Sequence, residues 1–224
     1  MTRRRTATSR KPAGKHGAQS KGPGSKASTL KSTGSKPVNS QLRIIGGEWR
    51  SRKLNFHPAE GLRPTLDRVR ETLFNWLSPY MEGASCLDLF SGSGALTLEA
   101  LSRGAKFVHI NELNPDVRRT LQDQLNLLSC AQERYELSGF NGESPQPQAF
   151  SSQYDLIFLD PPFRKELLES CCHNLEQCPI FKSRCHIYIE SEISLEQLSL
   201  PENWNLIKQK KAGQTHYGLI ERLS

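Results

Sequence analysis

From residue 84 to the end of the chain, apolar positions gather into short runs separated by amphipathic stretches. The runs predict strands at 86–90, 106–110, 134–137, 154–159, 186–190, 205–212 and 215–223. Apolar residues at helical spacing between them predict helices at 95–103, 115–128 and 165–177, with a short turn at 194–198. Buried strands alternating with helices form a parallel sheet through βαβ crossovers. The last two strands are separated only by the Gly213-Gln214 region, too short for a crossover, so they pair as an antiparallel hairpin. The predicted class is therefore α/β: a mostly parallel seven-stranded sheet with one antiparallel terminal hairpin strand.

Upstream the pattern differs. Leu42-Arg43-Ile44-Ile45 reads as a strand, Gly46-Gly47 as a turn, and Trp49 to Leu54 as a returning basic strand, which together make a small β-hairpin. Leu66, Val69, Leu73, Trp76 and Leu77 then follow helical spacing, with Thr65 as N-cap and an end near Leu77. Residues 1–40 hold few large apolar side chains and are expected to be disordered. The organisation is a basic tail at 1–40, a hairpin-and-helix extension at 41–82 and a main domain at 83–224.

Charge changes this picture in one respect. The formal net charge of +7 suggests a nucleic-acid binder, but ten Lys or Arg and no acid lie in residues 1–40, which leaves about −3 on the rest. The tail is read either as a salt-sensitive anchor on phosphate backbone or as a solvated segment without a specific role. The six cysteines show no CxxC pair, so reduced, buried thiols are favoured over a metal cluster at Cys171, Cys172, His173, Cys178 and Cys185. No apolar run approaches the roughly 18 residues of a membrane span, so a soluble cytoplasmic protein is expected.

Candidate chemistry falls at the carboxyl ends of the strands, where open α/β sheets bind ligands. Asp88-Leu89-Phe90-Ser91-Gly92-Ser93-Gly94 joins the first strand to a helix, and its glycines let backbone approach a ligand. Thr97 stands where a dinucleotide fingerprint has its third glycine, which weakens NAD and leaves another adenosine ligand. Glu112, at the end of the second strand, is placed to accept both ribose hydroxyls, with Asn114-Pro115 capping the next helix. The strand at 154–159 then delivers Asp160-Pro161-Pro162-Phe163 to the same edge. A base amine attacks a sulfonium methyl poorly while its lone pair is delocalised into the ring. A carboxylate oxygen of Asp160 and the Pro161 carbonyl would accept its two hydrogens and stabilise the charge that develops. Phe163 offers a stacking face for an extruded base.

With these residues in place, the chain resembles the RsmD family of bacterial methyltransferases. The resemblance covers about residues 42–224. It is carried by Arg43-Ile44-Ile45-Gly46-Gly47 with Arg50 and Arg52, and by Leu62-Arg63-Pro64-Thr65 followed by 67–77. It continues through 87–96, 98–105 and Asp160-Pro161-Pro162-Phe163. It implies a Rossmann-like class I methyltransferase fold and S-adenosylmethionine as cofactor. Methyl transfer to the N2 amine of guanine 966 in 16S rRNA is the implied activity. The substrate is expected to be 16S rRNA or a small-subunit assembly particle, and the enzyme a monomer without metal. Asp88, Ser91, Gly92, Gly94 and Glu112 are the expected cofactor residues, and Asp160, Pro161 and Phe163 the catalytic ones. Arg43, Arg50, Arg52, Lys53, Arg63 and Arg68 are the expected RNA contacts and Arg70 a further phosphate candidate, with a solvated helix face as the alternative for Arg68 and Arg70. Two positions depart from the family pattern. Asn114 replaces a second acid, and Ser138-Gly139-Phe140 lacks the usual Asp or Asn, which leaves backbone N–H groups and the Phe140 ring for the adenine. The residues themselves also admit an adenine-N6 methyltransferase of DNA or RNA, or a non-catalytic RNA-binding assembly factor. The loop at 139–153 has no reading from sequence.

Overall fold

The computed structural model describes residues 40–56, 66–150, 152–162 and 165–223. The tail, Arg63, Thr65 and Phe163 lie outside the described residues, and so do the expectations placed on them. Strands β1 (Ser40–Arg43) and β2 (Lys53–Phe56) form an antiparallel pair, followed by helix α1 (Asp67–Met81). The main sheet is built from β3 (Ser85–Asp88), β4 (Phe107–Asn111), β5 (Tyr135–Ser138), β6 (Tyr154–Leu159), β7 (Phe181–Ser191), β8 (Trp204–Ala212) and β9 (Thr215–Leu223). Helices α2 (Ala95–Ser102), α3 (Pro115–Leu127) and α4 (Lys165–Glu176) make the crossovers. The strand order is β5-β4-β3-β6-β7-β9-β8, with β9 antiparallel to both neighbours. The fold is the expected Rossmann-like α/β sheet of class I methyltransferases. Its order reverses between β3 and β6, and that switch point opens the crevice in which such sheets bind ligands.

The largest differences from expectation are in β2, which starts at Lys53 because Trp49 lies in the turn, and in α1 and β7. Helix α1 continues four residues past Leu77 and through Pro79, because Met81 returns to the buried stripe of Val69, Leu73, Phe74 and Leu77. Its N-cap position is Leu66, which makes no side-chain capping bond. Strand β7 begins at Phe181, five residues before the predicted start, because Phe181 pairs with Tyr154 although the intervening Lys182-Ser183-Arg184 is polar.

The amino-terminal extension is part of the main body rather than an appendage: from Ser40 on, the chain forms one compact unit. The reason is visible in α2, all eight of whose residues are buried. A helix buried all round needs cover on both sides, and segment 44–49 provides the outer one. Glu99, fully buried in the middle of α2, accepts hydrogen bonds from Ile45 N at 2.9 Å and Gly46 N at 2.8 Å. It also takes Arg103 Nε at 2.6 Å and faces the buried Arg70 guanidinium at 3.7 Å. Ser102 Oγ donates to Gly46 O and accepts from Trp49 N. At Gly47, φ is +76° and a Cβ would lie 1.8 Å from the Ser102 carbonyl oxygen, so only glycine fits. Arg70 is therefore a structural ion-pair partner, and the expectation that it meets phosphate is corrected.

Replacing Glu99 by Gln leaves Arg70 and Arg103 without their shared countercharge and one backbone N–H without its acceptor. Loss of one member of a buried pair costs about 3 kcal/mol or more. Urea unfolding of Glu99→Gln is expected to show a loss of that order; a loss below about 1 kcal/mol would contradict this role for the network.

Candidate active site

The site begins at the last residue of β4. Asn111, 2% exposed, donates from Nδ2 to Leu89 O at 3.0 Å and to Phe140 O at 3.1 Å. Its Oδ1 accepts from Phe140 N at 3.0 Å and Ser138 Oγ at 3.2 Å, and its backbone carbonyl accepts from Ser91 N. One amide thus fastens the chain leaving β3 and the chain leaving β5 to the end of β4. A buried amide with four partners is fully used, so its orientation is fixed.

On this frame sits the loop after β3. Asp88 is 2% exposed and accepts from Thr97 Oγ1 at 2.6 Å, while Ser91 Oγ donates to the Asp88 carbonyl. Asp88 therefore lies beneath the loop as a brace, and Thr97, read from sequence only as a missing glycine, is its partner. Gly92 adopts φ +51° and Gly94 φ +77°. Gly94 is the N-cap of α2, and a Cβ there would come 2.3 Å from Leu121, so this glycine serves the packing of α2 against α3. Gly92 N donates to Glu112 Oε2 at 2.9 Å, and Glu112 Oε1 accepts from Asn114 N at 2.7 Å. The glycine loop and the acid of the second strand, separate motifs in the sequence, are directly bonded. Asn114 caps α3 through bonds from Asp116 N and Val117 N, the use that Asn-Pro predicted.

Beyond β5 the Phe140 backbone N–H is already committed to Asn111, which leaves the half-buried ring as the exposed candidate. That ring packs edge-on against His109 and Phe150. His109 Nδ1 lies 2.7 Å from Tyr154 Oη and Nε2 2.8 Å from Ser138 Oγ, and burial lowers its pKa, so it is a neutral, bonded core imidazole at neutral pH. The loop at 139–153 packs onto α4: Cys171 Sγ donates to Gly142 O, and Asn174 Nδ2 to Glu143 O. All six cysteines are unpaired, and five are buried. Among the described residues no group of three or more His, Cys, Asp or Glu could hold a metal ion, and no helix is long and apolar enough to cross a membrane.

The reacting end lies next door. Asp88 pairs with Phe158, and Leu89 N donates to Phe158 O, so Asp160 and Pro161 leave β6 beside the glycine loop. Asp160 is partly exposed and Pro161 buried.

Three comparisons bear on this geometry. The family described as Conserved hypothetical protein 95 matches residues 42–221. The chain is 45% identical over 182 residues to Ribosomal RNA small subunit methyltransferase D of Escherichia coli, covering 81% of this chain and 90% of that protein. The protein of the same name in Haemophilus influenzae is 44% identical over 185 residues, covering 81% and 94% respectively. This chain belongs to the RsmD family. The solved structure of yhhF from Escherichia coli superposes with a TM-score of 0.73 at 43% identity, covering 83% of this chain and 99% of that one.

Within this RsmD-family chain the described residues among the expected RNA contacts do not gather in one place. The loop between β1 and β2 docks on the carboxyl ends of α2 and α3, where Arg52 Nη2 donates to Leu127 O. Those helix ends lie at the edge opposite the glycine loop, so the exposed Arg50 and Arg52 are remote from Asp160. Lys53 is exposed at the start of β2. Arg43 is exposed and pairs with Asp67 at 3.3 Å. Helix α1 ends beside the start of β3, where Gly83 N donates to Gly104 O, so exposed Arg68 in its first turn lies toward the reacting edge. Asn111 was missed from sequence because it closes an apolar run, and only the polar residue at that last position hinted at it.

Burial pushes the Asp88 carboxyl from an ordinary 3.8 up to about 6, against the opposing Thr97 hydrogen bond. Between about pH 4 and 6 the folded state keeps a proton that the unfolded state has released, so stability falls as pH rises through that window. His109 and His186, whose pKa values burial lowers, give the opposite slope, and both cancel in a comparison with Asp88→Asn. Urea unfolding at pH 4 and pH 7 is expected to show the wild type losing about 2–3 kcal/mol relative to Asp88→Asn across the interval. A constant difference would contradict the raised value.

Proposed function

We propose that this chain transfers a methyl group from S-adenosylmethionine to the exocyclic N2 amine of guanine 966 in 16S rRNA during small-subunit assembly, acting as a cytoplasmic monomer. Its family membership supports rRNA as substrate, since the relatives at 44–45% identity are named for small-subunit rRNA methylation. The observation that carries the reading is the register of β3 with β6. That register sets Asp160-Pro161 beside a glycine loop whose Gly92 is bonded to Glu112.

The residues fit the cofactor. A carboxylate has about four acceptor positions, and the bonds from Gly92 N and Asn114 N leave Glu112 capacity for ribose hydroxyls. The half-buried Phe140 ring supplies an apolar wall for adenine. S-adenosylmethionine supplies an electrophilic methyl on a sulfonium centre. The work of the chain is then positional and electrostatic. Asp160 accepts one amine hydrogen and the Pro161 carbonyl the other, which draws the nitrogen toward tetrahedral geometry and aims its lone pair along the line of displacement. Positive charge would develop on that nitrogen as the N–C bond forms and the methyl–sulfur bond breaks, and the Asp160 carboxylate would stabilise it until the nitrogen gives up one proton to solvent. Phe163 is assigned the face against which the base stacks, and Arg68 the phosphate contact nearest the reaction.

Asp160→Ala is expected to lower kcat on small-subunit particles from cells lacking the protein by about 10²–10³ or more while leaving S-adenosylhomocysteine affinity unchanged. Glu112→Ala should instead weaken that affinity by about tenfold or more. Methylated nucleosides released from the wild-type reaction identify the product. N2-methylguanine supports the reading, whereas N6-methyladenine, no product, or full activity of Asp160→Ala overturns it.

A further inference from the structure

A second acid stands next to the reacting group. In the β6–β7 register Phe158 pairs with Tyr188 and Leu159 with Ile189, so Asp160 follows opposite Glu190 near the carboxyl end of β7. Side chains two apart on a strand share a face, which puts Glu190 with Tyr188 on the side of the sheet that α1 covers. There Tyr188 lies near Tyr217, and Tyr217 stacks on Trp76 of α1 at 5.7 Å. Glu190 is only 8% exposed, so it is not part of a solvated face. Tyr188 Oη donates to Glu190 Oε1 at 2.7 Å, which fixes the carboxylate among these rings. Burial raises the Tyr188 phenol well above its ordinary pKa, and the nearby charges of Glu190 and Asp160 add to that rise, so the two acids share one small region.

We propose that Glu190 is a specificity-determining residue, which accepts the N1–H of the target guanine while Asp160 holds its N2 amine; this rests on the guanine reading above. The Watson–Crick edge of guanine presents N1–H beside the N2 hydrogens, so an acid set against each suits that edge. Adenine and 2-aminopurine both present an acceptor lone pair at N1, which a carboxylate repels. About four acceptor positions on a carboxylate allow Glu190 to keep the Tyr188 bond and serve the base as well. A site built to hydrogen-bond one group rejects the analogue lacking it, because its own buried polar atoms are then left unpaired. Asp160-Pro161 alone does not distinguish one aromatic amine from another; Glu190 supplies that choice.

The test uses 2-aminopurine, which keeps the N2 amine but has no N1–H. Reconstituted small-subunit particles carrying guanine or 2-aminopurine at the target are methylated by wild-type protein and by Glu190→Gln, and the ratio of kcat/KM for the two bases is read. Wild type is expected to prefer guanine by about 100-fold or more. In Glu190→Gln the side-chain amide donates to the bare N1, and the ratio should fall by about tenfold or more. A ratio that does not move, whether both rates stay or both fall together, overturns the proposal, since a purely structural role changes the rates and not the choice. Tyr188→Phe, which removes only the orienting hydroxyl, should lower the ratio in the same direction. If Glu190→Gln no longer binds S-adenosylhomocysteine, an unchanged ratio in Tyr188→Phe overturns the proposal in its place. Wild-type product on an atom other than guanine N2 means that the guanine reading itself has failed, and that outcome is seen before any ratio is measured.

Discussion

The glycine-loop side of the reacting edge hangs on the side chain of Asn111. Parallel strands do not fix where the chain goes after each strand ends, and a ligand site built on three such exits needs them held together. The Asn111 amide does this with both donors and its acceptor, joining the exits of β3 and β5 to the end of β4. With the exits held, Glu112 reaches Gly92 N, and the Phe140 ring packs edge-on against Phe150. Because the amide is buried, a slipped arrangement would strand polar atoms at a cost of about 1–3 kcal/mol each, which rigidifies the site before any ligand arrives.

A second buried polar group, Glu99, does the same for the amino-terminal segment. Its bonds to Ile45 N and Gly46 N, with Arg70 and Arg103 as countercharges, turn α2 into an interior helix and fix where α1 begins. The start of α1 leans toward the reacting edge and carries the exposed Arg68, so the position of that residue depends on a carboxylate in a different helix. In the motif of Arg43 to Gly47, residues Ile45, Gly46 and Gly47 serve that docking.

The sequence was most legible where one residue type had one physical use. Short apolar strands, the tight Gly213 connection and the Asn114 cap all appeared as expected, since periodicity and turn chemistry are local. Gly92, Glu112 and Asp160 could be placed at one sheet edge from sequence because each follows the end of a strand. Long-range uses were not readable. Thr97 counted only as an absent glycine until it met Asp88; Arg70 looked like one more surface cation until α2 buried it; Glu190 carried no local sign at all. Phe181 joined β7 because Tyr154 was waiting for it, a fact about the neighbouring strand and not about the local pattern.

The central claim is that three strand exits, tied by Asn111, hold S-adenosylmethionine with its methyl facing Asp160. A crystal structure with bound S-adenosylhomocysteine tests it most directly. The account predicts the ribose hydroxyls on the Glu112 carboxylate, adenine against Phe140, the sulfur turned toward Asp160-Pro161, and the Asn111 bonds unchanged. A ligand seated elsewhere on the sheet, or one whose sulfur faces away from Asp160, would contradict it.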